Sequence, residues 1–170
     1  MPHGVETGAL LRSGGFLSFR GPVREAWIDE HAHMNVLAYD AMFQEAESAF
    51  FVAHGITHAY PATGFGYFRL EKHMRHLSEL RFGEEVAVTT LLVATDLKRV
   101  HMFHQAWNLA TGARAATLEA LSIHVDLTAR KAVPQPHADL AENWLATARA
   151  HDALPRPEGI GRAIAMRQRA

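Results

Sequence analysis

The 170-residue chain contains no cysteine. That absence removes disulfides, thiolate metal sites and a cysteine nucleophile together, and it leaves redox chemistry silent about the compartment. A surplus of either charge is also missing, since 17 Lys and Arg stand against 18 Asp and Glu. Phosphate backbones call for a concentrated basic stripe, so no nucleic-acid partner is expected. No segment approaches the roughly 18 to 20 uninterrupted apolar residues of a membrane-spanning helix, so no membrane partner is expected either. Met1-Pro2-His3-Gly4-Val5-Glu6 has no basic stretch ahead of a long apolar run. A secretory leader is therefore not expected, and the cytoplasm is the default location.

What is present is globular: 48% of residues are hydrophobic and 21% charged, the ordinary balance of a folded domain. At this size one core suffices, burying roughly 70% of the unfolded chain's surface. The Gly-rich start and the Pro155, Pro157, Gly159, Gly161 and arginine-bearing end read as arms. The expected division is an arm over 1–15, a domain over 16–150 and a tail over 151–170.

Within the domain, Phe16 to Val23 reads as a short strand broken by Gly21 and Pro22, and Trp27 to Met34 as a loop. From Asn35 the period changes. Tyr39, Met42, Phe43, Ala46, Ala49, Phe50 and Ala53 recur at three- and four-residue steps, which predicts a helix from Asn35 to His54 with Asn35 as its N-cap. Tyr67 to Leu80, Glu85 to Ala94, Arg99 to Leu109 and Arg114 to Asp126 alternate like strands between short turn-forming stretches, which predicts an antiparallel meander. Leu140 to Ala150 follows as a terminal helix beyond Pro134 and Pro136. The class is α+β, with an unusually apolar helix that a curved sheet would wrap.

The densest polar cluster, Asp29-Glu30-His31-Ala32-His33-Met34-Asn35, falls just before that helix. A helix N-terminus offers backbone N–H groups and a favourable dipole to a developing oxyanion. A carboxylate beside it can act as general base on water or attack a carbonyl itself. Asp29 is therefore the leading catalytic candidate, against the plainer reading that it caps the loop. His33 and Asn35 are candidates for orienting the carbonyl, the carboxylate or the water, with structural hydrogen bonding and helix capping as their plainer roles. Glu45 and Glu47 on the helix are further carboxylates, Glu47 being expected on a solvated or interface-facing side.

The segment Trp27-Ile28-Asp29-Glu30-His31-Ala32-His33-Met34-Asn35 resembles the motif of the 4-hydroxybenzoyl-CoA thioesterase-like hotdog superfamily. There an Asp is followed three residues later by Gly and then by His-Met-Asn; Ala32 stands here in place of the Gly. The runs Glu71 to Leu77, Asp96 to His104, Ile123 to Asp126 and Ala153 to Arg162 further resemble betainyl-CoA thioesterases associated with carnitine dehydrogenase. The resemblance implies a hotdog fold, hydrolysis of an acyl-CoA to free acid and coenzyme A with a short polar acyl group such as betainyl, and no cofactor, coenzyme A being part of the substrate. It also implies active sites between subunits, hence a homodimer or a dimer of dimers. A long-chain or aromatic acyl thioesterase, or a non-catalytic acyl-CoA-binding module, is the alternative.

For the substrate, a quaternary ammonium favours aromatic faces and a carboxylate, whereas a fatty chain needs a dry tunnel. Trp27, Tyr39, Phe43, Tyr67, Phe68 and Glu71 make the first feasible. Tyr39, Glu71 and His73 are taken as substrate-binding candidates, Glu71 and His73 sharing a strand face, with a polar couple at a subunit interface as their plainer reading. Arg75, Arg81, Lys98 and Arg99, near strand ends or turns, are candidates for the coenzyme A phosphates, with surface solvation as their plainer reading; Arg162, Arg167 and Arg169 in the tail could also reach them. No metal site is expected. His101 and His104 lie at an odd offset on one strand and so face opposite ways, and nothing in the sequence completes a ligand set for His31 and His33.

Overall fold

The computed structural model describes residue 8 and residues 14–166. The first strand, β1, spans Phe16–Pro22, and a 3-10 turn at Glu25–Trp27 leads to helix α1, Val36–Ala53. A second 3-10 turn, Tyr60–Thr63, precedes β2, Phe65–His76. Strands β3 (Glu85–Thr95), β4 (Arg99–Asn108), β5 (Arg114–Asp126) and the short β6 (Lys131–Ala132) follow, and helix α2, Ala138–Asp152, comes last.

The sheet is antiparallel with the order β1-β3-β4-β5-β2, β6 pairing with β5. Only β3, β4 and β5 form the expected meander. β2 pairs with β5, from Phe65↔Asp126 to His76↔Ala116, and the Leu77–Glu84 stretch crosses back to β3. That crossing stretch is held by backbone bonds, with Leu77 N–H donating to Ala115 O (2.8 Å) and Met34 N–H to Leu80 O (2.7 Å). Residues 77–80, expected to extend the strand, therefore serve as a belt beneath the start of α1.

Asn35 caps α1 as expected, its side-chain oxygen accepting the Leu37 N–H at 2.8 Å. The sheet curls round the helix, burying Met42, Phe43, Ala46 and Phe50 completely. Ala106, Ala116 and Ala120 line the sheet beneath the helix, and their small side chains let it settle into the curve while larger residues fill the flanks. This half-barrel about one helix is the hotdog arrangement. Helix α2 closes the far end, where Trp144 packs against Phe50, Phe51, Leu92 and Met102. Beyond Phe16↔Thr90 the β1 strand no longer covers β3, and the Leu92 N–H is taken instead by His151 Nδ1 at 2.9 Å.

The segment read as a tail lies on the outer face of the sheet. Gly161 N–H donates to Glu119 Oε2 (2.8 Å) and Arg114 Nη1 to Glu158 O (3.3 Å). Most of the N-terminal arm, together with Arg167 and Arg169, falls outside the described residues. No described helix is long and apolar enough to cross a membrane.

Candidate active site

The turn ahead of α1 is built almost entirely from its own backbone. Ile28 and Met34 face each other as an antiparallel bridge; Asp29 N–H donates to His33 O (3.1 Å), Ala32 N–H to Asp29 O (3.0 Å) and Asn35 N–H to Trp27 O (2.8 Å). Closing so short a loop demands a left-handed residue, and Ala32 supplies it at φ 63°. This is the position where the family motif has glycine, and the reason is steric: a Cβ disfavours that conformation.

The turn aims Asp29 at a cavity of about 420 Å³ lined by His33, Asn35, Val36, Tyr39, His76 and Glu79. The Asp29 carboxylate is 14% exposed, with His33 Nδ1 at 3.7 Å and His31 Nδ1 at 3.8 Å from Oδ1. The same oxygen accepts the His31 N–H at 2.9 Å, which fixes the carboxylate's orientation. The two imidazoles stack, their centroids 5.8 Å apart. Neither ring lies within hydrogen-bonding distance of Asp29. Asp29, Glu30 and His31 place ligand atoms within 4.8 Å of one another, but Glu30 and His31 are solvent-exposed.

At the start of α1 the Asn35 carbonyl and side chain take the N–H groups of Leu37, Ala38 and Tyr39. The Val36 N–H belongs to the first turn, where no intrahelical acceptor exists, and Val36 lines the cavity. Asn35 thus caps the helix with its oxygen and keeps its amide N–H₂ for other use. Tyr39 is 4% exposed, and burial, reinforced by the charges of Glu79 and Glu84, pushes its phenol up to about 12. It stays neutral, packed edge-on to His76 at 4.8 Å. A carboxylate, a helix-end donor and a neutral phenol converge on one hollow, which suits attack on a polarised carbonyl.

Of the remaining candidates, Glu71 and His73 lie in a different cavity, on the sheet's outer face, with His101, Glu119 and Arg162. Arg75 shares that outer face toward Asp29's end of the sheet, its Nη1 buried beside Gly159 rather than turned to a cavity. Lys98 and Arg99 sit at the opposite end, and Arg99 is forked onto Asp96 at 2.6 and 2.9 Å. His101 and His104 do face opposite ways: His101 meets Glu119 at 2.7 Å on the outer face, and His104 points into the core. Glu45 is held bidentately by Arg24, both contacts at 2.6 Å.

Glu47 departs most from expectation. It is 5% exposed, bonded to Arg69 Nη2 at 2.5 Å and 3.4 Å from the fully buried His104 Nε2. Burial pushes its carboxyl up, but His104 and Arg69 outweigh that and hold it below the ordinary glutamate range. His104 Nδ1 continues to Thr90 Oγ1 (2.8 Å), and that hydroxyl to Ser18 Oγ (2.8 Å). The polar chain runs from β2 through α1 to β4, β3 and β1. The period of α1 carried the signal, since Glu47 follows Phe43 by one turn on the buried face.

A family model for the thioesterase-like superfamily matches residues 23–146. The chain belongs to that superfamily. Among curated relatives, this thioesterase-like chain is 33% identical over 150 residues to a betainyl-CoA thioesterase of Pseudomonas aeruginosa, covering 88% of this chain and 94% of that one. It is 34% identical over 165 residues to an L-carnitine dehydrogenase/betainyl-CoA thioesterase of Rhizobium meliloti, covering 97% of this chain but only 33% of the relative's length. A hypothetical protein from Staphylococcus aureus, solved in complex with CoA, shares the fold with a TM-score of 0.83 at 24% identity, over 91% of this chain and 98% of that one. A thioesterase-like structure from Pseudomonas putida does so at 0.76 and 24%, over 90% and 97% respectively.

Proposed function

We propose that this chain hydrolyses a short polar acyl-CoA, betainyl-CoA foremost, to the free acid and coenzyme A, with Asp29 as the catalytic carboxylate. The observation that carries this is the seating of Asp29: mostly buried, fixed by the His31 N–H, and opening onto the hollow at the N-terminus of α1. In this reading the thioester carbonyl points at the Val36 N–H and the Asn35 amide, which stabilise the oxyanion. Asp29 activates water, or attacks the carbonyl to give a mixed anhydride that water then opens; in both routes the thiolate of coenzyme A leaves. His33, which lines the same cavity, is placed to orient the water or the carbonyl. No cofactor takes part beyond the coenzyme A of the substrate, and the cytoplasm is the working compartment. The names of the relatives supply the acyl group.

β2 is an edge strand whose Phe68 and Leu70 are 46% and 53% exposed. An open edge of this length invites pairing with an identical strand about a two-fold axis, and the assembly proposed here is a homodimer through β2, alone or doubled. Antiparallel pairing sets Asp29's end of one subunit beside the opposite end of its partner. Lys98 of the partner subunit then comes near one mouth, where coenzyme A phosphates would lie.

The test is a panel of acyl-CoAs with a thiol-reactive dye. Release of thiol from betainyl-CoA, faster than from palmitoyl-CoA, is the expected result. No release from any acyl-CoA would leave only a binding module, and a preference for palmitoyl-CoA would remove the betainyl assignment while keeping the thioesterase.

A further inference from the structure

Between the second half of α1 and the start of β2 lies a second cavity, of about 360 Å³, lined by Glu47, Arg69, Phe51, Tyr60 and Tyr67 among others. At about 1.5 Å per residue, Glu47 lies roughly 18 Å along α1 from Asn35, so within one subunit this hollow is separate from that of Asp29. Its polar floor is expensive to build, because a buried ionic network is commonly no more stabilising than apolar residues of the same size. Moreover, the floor is incomplete: Arg69 Nη1 is buried and donates to nothing among the described residues, although buried donors are almost always paired.

The walls are held rigidly. Tyr60 OH is 2.8 Å from His124 Nε2 and donates to Gln135 Oε1 at 3.1 Å. Tyr67 accepts from Gln135 Nε2 at 3.4 Å, and its ring packs on Phe51 at 5.0 Å. With the hydroxyls tied back, the rings offer aromatic surface, which attracts a quaternary ammonium. A bare anion would meet the Glu47 carboxylate, and a bare cation would meet Arg69. A small zwitterion satisfies both, its carboxylate on the Arg69 guanidinium and its ammonium between Glu47 and the rings; the acyl part of a thioester keeps the second contact.

We infer that this cavity recognises a small acid carrying a quaternary ammonium, as product or as the acyl part of the substrate, with Arg69 and Tyr67 as the specificity-determining residues. The inference rests on the betainyl reading and adds to it the residues that select the acyl group. The dimer proposed through β2 would set the partner's Asp29 end alongside these residues.

The experiment is calorimetric titration of the purified protein with trimethylglycine, with tert-butylacetate, which keeps the shape and carboxylate but lacks the cation, and with choline, which keeps the cation but lacks the carboxylate. Trimethylglycine should bind about tenfold more tightly than either. Tyr67→Leu should erase its advantage over tert-butylacetate, and Tyr67→Phe should retain it, since the ring and not the hydroxyl makes the contact. Arg69→Gln should erase its advantage over choline. If Arg69→Gln fails to fold because Glu47 is left unpaired, the tyrosine pair still decides. Equal binding of the three ligands, no binding to the folded protein, or an advantage unchanged in Tyr67→Leu overturns the inference. If betainyl-CoA is nevertheless hydrolysed, only this cavity's role is lost; if trimethylglycine binds as described but betainyl-CoA is not hydrolysed, the functional reading is what fails.

Discussion

Ala32→Gly tests whether the turn that presents Asp29 stores strain. Ala32 sits at φ 63°, a left-handed conformation that costs an L-residue with a Cβ roughly 1 to 2 kcal/mol. Glycine removes that cost but brings a more flexible unfolded chain, which takes back about 0.4 to 1 kcal/mol. The net expectation is a gain of about 0.5 to 1 kcal/mol, or roughly 1 to 4 °C in melting temperature for a domain of this size. The backbone bonds of the turn, Ala32 N–H to Asp29 O and Asp29 N–H to His33 O, do not involve the side chain, so Asp29 should keep its seat. Thermal melts followed by circular dichroism, with acyl-CoA turnover measured alongside, read both consequences. A lower melting temperature in Ala32→Gly would show that the alanine is not strained, and the steric account of this motif position would be wrong.

Asp29→Asn should leave the melting temperature nearly unchanged and lower kcat by roughly two to four orders of magnitude, the scale of a positioned acid–base group; full turnover in the purified variant would shift attention to the helix carboxylates. Phe43→Ala, at a fully buried position facing the sheet, should cost about 3 to 5 kcal/mol in denaturant unfolding, and a loss below about 1 kcal/mol would contradict the wrapped-helix packing. Burial lowers the pKa of His54, His124 and His151, with the charge of His137 adding to the effect at His124 and that of His54 at His151. Their contribution to stability is therefore complete above the ordinary histidine pKa of about 6.5 and is lost as pH falls through the depressed folded values. Melting temperature should drop between about pH 7 and pH 5, and a flat profile over that window would refute the assignment.

The fold was legible wherever one periodicity dominated. The apolar steps from Tyr39 to Ala53 gave α1 to within a residue at each end, because Asn35 marks its start chemically as well as by pattern. Strand pairing was less legible. Alternation shows that Tyr67 to His76 is extended but not which neighbour it joins, and a short connection favours the next strand in sequence. Here Leu77–Glu84 is pinned by Ala115, Met34 and Val23, contacts between residues far apart in the chain that no local pattern encodes. The outer-face packing of Gly159 to Gly161 escaped for the same reason: Pro and Gly signal the absence of regular structure, not the absence of contacts.

The site divides along the same line. Asp29, His33, Asn35 and Tyr39 occupy a few consecutive turns of chain, so one local geometry brings them to one cavity. Glu71 and His73 share a face, as the two-residue period requires, but which face depends on the register of the whole sheet, and it is the outer one. Glu47 is the most instructive case. Its charge argues for solvent and its place in the helical period argues for the core, and sequence reasoning favoured the charge. The period won because Arg69 and His104 arrive from β2 and β4 to meet it. A buried carboxylate is costly only while it is unpartnered, and its partners lie 22 residues away in one case and beyond two further strands in the other. A charged residue on the apolar stripe of a wrapped helix is thus better read as a question about which sheet residues face it than as a break in the stripe.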